Sequence, residues 1–81
     1  MGTTWIDGTY LRVFLAIYEE YRRIGNANAP LFREIDKRVV EIQEDKEFFK
    51  VFFYEKQPEA LTRTVEILVR KRDYQVRDVM R

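Results

Sequence analysis

Apolar residues recur along this chain in runs whose period changes from segment to segment. Thr3-Thr4-Trp5-Ile6-Asp7 is a short β-prone run halted at Gly8, which predicts a first strand ending at Asp7. From Thr9 onward Tyr10, Phe14, Ile17, Tyr21 and Ile24 recur at alternating spacings of four and three, with Leu11, Leu15 and Tyr18 widening the stripe. That period predicts an amphipathic helix, closed at Gly25-Asn26-Ala27-Asn28. Pro30 suits the first turn of a second helix, which Leu31, Ile35, Val39 and Ile42 carry to about Gln43.

The segment from Glu44 to Glu55 decides the fold class. Read as a helix, it would extend the second one through Phe49 and Phe53 and give an all-α bundle of three or four helices. Five rings, Phe48, Phe49, Phe52, Phe53 and Tyr54, would then surround most of one helix, and so small a bundle could not cover them. As a strand, the same aromatic and β-branched run would be buried on both faces under helices, and this is the expected form. Pro58 then opens a helix with Leu61, Val65, Leu68 and Val69 on its inner side, ending near Arg72. Asp73 turns the chain, and Tyr74, Val76 and Val79 form a last short strand. The order β-α-α-β-α-β predicts an α/β fold: an open, parallel, three-stranded sheet with flanking helices and a right-handed crossover.

Composition narrows the chemistry. Apolar residues at 46% and charged residues at 36% exclude a disordered chain, and no apolar stretch approaches a bilayer-spanning helix. No targeting segment is visible, so a single cytoplasmic domain is expected over residues 1–81. Without cysteine or histidine, any catalysis must run on carboxylates. The net charge of +1 carries no global field, but basic residues outnumber acidic ones from Leu61 to Arg81. Arg63, Arg70, Lys71 and Arg72, with Arg12 near the start, are candidate nucleic-acid contacts. The competing reading of the later four is a solvated helix face whose end complements the helix dipole.

Ligands of open parallel sheets bind beyond the carboxyl ends of the strands, where Asp7 and Glu55 are expected. Neighbouring strands lie about 4.8 Å apart. Two carboxylates that close repel unless a hard cation such as Mg²⁺ or Mn²⁺ joins them, and such an ion could activate water for phosphate hydrolysis. Asp7 is thus the candidate catalytic residue, and Asp7 with Glu55 the candidate metal pair. The plainer alternatives are a helix N-cap for Asp7 and a solvated loop position for Glu55.

The run Trp5-Ile6-Asp7-Gly8-Thr9-Tyr10-Leu11-Arg12 resembles the opening of NYN domains of the LabA-like kind, within the PIN-like nucleases. Lys50-Val51-Phe52-Phe53-Tyr54-Glu55, then Pro58, Leu68 and Arg72-Asp73-Tyr74-Gln75-Val76-Arg77, is similar to that family's next strand, helix and strand. The resemblance implies a PIN-like Rossmannoid fold, a divalent metal held first by Asp7, and RNA cleavage by metal-activated water. It also implies that further metal-binding aspartates would follow Arg81. An incomplete domain is therefore expected, weakly active alone, with an exposed parallel edge at the Asp7 strand that invites self-association or a partner chain. Two other functions fit the same residues. One is a non-catalytic module for nucleic acid or protein; the other is a helix-turn-helix DNA binder with Leu61 to Arg72 as its recognition helix.

Overall fold

A computed structural model describes residues 2–25, 29–56 and 61–80, except for the side chains of residues 29, 30, 61–64 and 78–80. The chain runs α1 (Gly8–Arg23), α2 (Ala29–Arg33), a 3₁₀ turn (Ile35–Lys37), β1 (Arg38–Glu44), β2 (Phe48–Lys56), β3 (Leu61–Arg70) and β4 (Val76–Met80). The four strands form one sheet in the order β1-β2-β3-β4, with every neighbouring pair antiparallel. This is an α+β meander with one main helix, neither the expected parallel α/β sheet nor the all-α bundle.

α1 forms where the period predicts it. Asp7 caps its first turn, and the chain leaves it at Gly25, whose φ of 64° is a left-handed conformation open to glycine. Val13, Ala16, Ile17 and Tyr21 are buried against the sheet. Leu11 and Leu15 do not widen that stripe: they remain about half exposed on the far side of the helix, while Tyr18, also partly exposed, sets its ring edge-on to Phe32. The aromatic run is a strand, as expected, but the described helices cover only one of its faces. Phe49, Val51 and Phe53 point into the core with Val65, Ile67 and Val69 of β3, while Val40 and Ile42 of β1 pack against its margin. Phe48, Lys50, Phe52 and Tyr54 alternate onto the other face, which no described helix covers. Phe52 is nevertheless buried there, flanked in register by Glu41 and Glu66.

The remaining expectations are corrected by β-branched residues. Leu31 to Ile42 has helical spacing, but only Ala29–Arg33 is α-helical, and Arg38–Glu44 is a strand. Val39, Val40 and Ile42 are stiff at χ1, and they pair in a hairpin with the most aromatic strand of the chain. The helix expected up to Arg72 is strand β3 over the described part. Val65, Ile67 and Val69 repeat every second residue, and all three reach the core, which a helix would not allow. Its proposed start at Pro58 lies outside the described residues. Val76–Met80 is a strand as expected, but it returns antiparallel to β3 through the turn at Lys71–Asp73, so no crossover exists. Residues 2–7 form no strand, so the edge through which self-association was expected is absent; the sheet edges are β1 and β4.

Candidate functional site: a charged rim at one end of the sheet

The hairpin turns β1–β2 and β3–β4 lie at the same end of the sheet as the start of α1. In the first turn the Asp45 carboxylate accepts from the N–H groups of Glu47 and Phe48 at 2.8 and 2.7 Å. That arrangement is why Asp45 can reverse the chain in so few residues. The second turn is tied down by Arg70, whose guanidinium donates to Asp73 at 3.0 and 2.6 Å and to Gln75 at 2.7 Å. The fork of Arg70 holds the Asp73 carboxyl down at about 2. The backbone N–H of Lys71 donates to the Glu47 carbonyl at 2.8 Å, so the two turns are stitched together.

Glu44 joins three elements. It accepts from the Tyr10 hydroxyl of α1 at 2.6 Å and from the Lys71 ammonium of β3's end at 3.0 Å. These bonds hold the Glu44 carboxyl below its ordinary range and push the Tyr10 phenol up. Asp7 lies near enough to influence both, yet its own carboxylate is committed: it accepts from the Thr9 N–H at 2.8 Å, and this bond lowers its pKa. Asp7 is therefore the helix cap.

Glu55 is not beside it. In the β1–β2 register Glu55 faces Arg38, whereas Glu44 faces Phe49, six positions along β1. At about 3.3 Å per residue, that separates Glu55 from the Asp7 end by roughly 20 Å. Its carboxylate instead lies 3.8 Å from the guanidinium of Arg38, whose side chain is only 10% exposed. The proposed metal pair is not formed, and among the described residues no group of three or more acids is poised to hold an ion.

The basic candidates fare differently. Arg70, Lys71 and Arg72 line one open depression of about 500 Å³, together with Lys46 and Glu47. Lys46 was missed in the sequence because Glu44 to Glu47 is not recognisable as a hairpin turn until β1 is known to be a strand. Arg12 stands apart: its guanidinium lies 4.7 Å over the Tyr74 ring and lines a second groove between α1 and the β3–β4 turn. Arg63 faces Tyr54 at the far end of the sheet, and its side chain lies outside the described ones. No described helix is long and apolar enough to cross a membrane.

Acid sensitivity follows from these bonds. Asp7, Glu44, Asp45 and Asp73 all have folded-state pKa values below their ordinary ones. The stability they contribute is fully present above about pH 4.5 and is lost as the pH falls toward 2. Asp7→Asn keeps a capping oxygen but loses the charge whose pKa the fold lowers, so its Tm at pH 7 should lie slightly below wild type, with a smaller decline below pH 4.5. A large loss of Tm at pH 7 would mean that the charge of Asp7, not its capping oxygen, is what the fold uses. Compared with known protein families, curated proteins and solved structures, the chain has no match.

Proposed function

We propose that this chain is a non-catalytic, cytoplasmic module that binds single-stranded RNA across the basic rim and the adjoining part of the open sheet face. The observation that carries this reading is the convergence of Lys46, Arg70, Lys71 and Arg72 on one depression, with Glu47 as the carboxylate in its described lining. Phe48 stands directly opposite Arg70 on the face that no described helix covers, and Lys50 follows on the same side. Half-buried aromatic rings on an open antiparallel sheet are platforms on which unstacked bases can lie, while cations beside them meet the phosphates.

Charge limits the path. Glu41 and Glu66 flank Phe52 further along the same face, so an RNA strand is favoured at the turn end and repelled beyond it. Lys71 and Arg70 already have carboxylate partners in Glu44 and Asp73. Lys46 and Arg72, both exposed, carry most of the charge left for a ligand.

Fluorescence anisotropy with a labelled single-stranded oligouridylate tests the reading. Affinity should fall with salt, and Lys46→Ala together with Arg72→Ala should reduce the slope of log K against log salt by about 1.4, roughly 0.7 for each phosphate left without its cation. Binding that ignores both salt and these substitutions would rule the rim out as the RNA site.

A further inference from the structure

α1 is apolar on two sides, and only one of them is used by the core. At 100° per residue, Leu15 points directly away from the sheet, opposite the buried Val13 and Ile17. Leu11 and Tyr18 lie roughly 50° to one side of Leu15; Arg12 and Glu19 lie roughly 50° to the other. Exposures of 55% for Leu11, 48% for Leu15 and 43% for Tyr18 make this a continuous solvent-facing stripe, not a scatter of single residues.

We infer that the outer face of α1 docks on the same face of a second copy of this chain, antiparallel, about a two-fold axis at Leu15. The spacing is what selects the occupant. When two identical helices pack antiparallel, each flank meets the same flank of its partner. With the axis at Leu15, Leu11 then meets Tyr18 of the second copy along one side, and Arg12, swung off the Tyr74 ring over which its guanidinium lies in the single chain, meets Glu19 along the other. Both pairings occur twice. A parallel two-fold would instead set the Leu11 and Tyr18 flank against the Arg12 and Glu19 flank, burying charge against apolar surface. One helix face therefore carries a complementary ionic row and a complementary apolar row in a single arrangement.

The geometry also leaves the proposed RNA face free. α1 covers the opposite side of the sheet, so a dimer built through its outer surface presents two open sheet faces pointing away from each other. A contact confined to one 16-residue helix per copy is smaller than a standard interface, so association is expected to be weak.

Sedimentation equilibrium over concentrations from about 10 μM to 1 mM tests the inference. Wild type should move from monomer toward dimer across that range. Leu15→Glu should weaken association at least tenfold while its circular dichroism stays that of wild type, because the substituted side chain faces solvent. Arg12→Glu and Glu19→Arg should each weaken self-association, and a mixture of the two should associate better than either alone, since the unlike pair restores both ionic contacts. A chain that stays monomeric throughout, a dimer as tight in Leu15→Glu as in wild type, or a mixture no better than its components would each overturn the proposal.

Discussion

Phe53→Ala is expected to remove most of the stability of the domain. The ring is fully buried at the middle of β2, edge-on to Phe14 of α1 at 6.0 Å and to Phe32 of α2 at 6.3 Å. Its cross-strand neighbours are Val40 and Val65. It thus ties both helices to the strands on either side of β2. Truncating a buried phenylalanine typically costs about 3–5 kcal/mol, since the lost transfer energy is compounded by a cavity the surroundings cannot close. A domain of this length has a total stability of about 4–12 kcal/mol. With a urea m-value near 1 kcal/mol/M, the midpoint should fall by roughly 3 M or the folded baseline should vanish. A shift below about 0.5 M would show that the two helices do not depend on that ring.

The parts of the fold that could be read in advance were those with a single consistent signal. α1 has one period, a cap at Asp7 and a stop at Gly25. β2 has more large rings than a helix of a small protein can hide. The segments that misled satisfy both periods at once. Leu31, Ile35, Val39 and Ile42 are helically spaced, yet Val40 and Ile42 also alternate, and only the neighbouring strand decides between them. Leu61, Val65, Leu68 and Val69 compete with Val65, Ile67 and Val69 in the same way, and tertiary pairing with β2 selects the second set. Once those two segments are strands, every connection between strands is short and the parallel arrangement is impossible, because a parallel pair needs a crossover.

The site was legible only where it rests on local sequence. Arg70, Lys71 and Arg72 are consecutive, so some shared surface is assured whatever the fold. Their meeting with Lys46 depends on two hairpins turning at the same end of the sheet. The pairing of Asp7 with Glu55 depended on strands running side by side in the same direction, and it failed with them. Asp-Gly-Thr can supply either a ligand or a cap; the Thr9 N–H at 2.8 Å decides for the cap.

Tyr74 offers a test of how the rim is held, because here glycine should be better tolerated than alanine. Its φ of 58° is left-handed, which costs a residue with a Cβ about 1–2 kcal/mol. The turn demands that conformation: the Tyr74 N–H closes onto the Arg70 carbonyl at 2.7 Å. The ring offsets the strain by stacking on Phe49, with centroids 6.4 Å apart and planes 12° from parallel, while Arg12 lies over it. Tyr74→Ala keeps the strained backbone and forfeits the stacking, which is worth about 0.5–1.5 kcal/mol for an aromatic pair. Tyr74→Gly forfeits the same stacking but relieves the backbone, so it should be more stable than Tyr74→Ala by about 1 kcal/mol in chemical denaturation. That order reverses the usual preference for alanine over glycine, and it should also appear in RNA affinity, since the turn sets where Arg70 and Arg72 stand. If alanine proves at least as stable as glycine, the left-handed turn is not what fixes the rim.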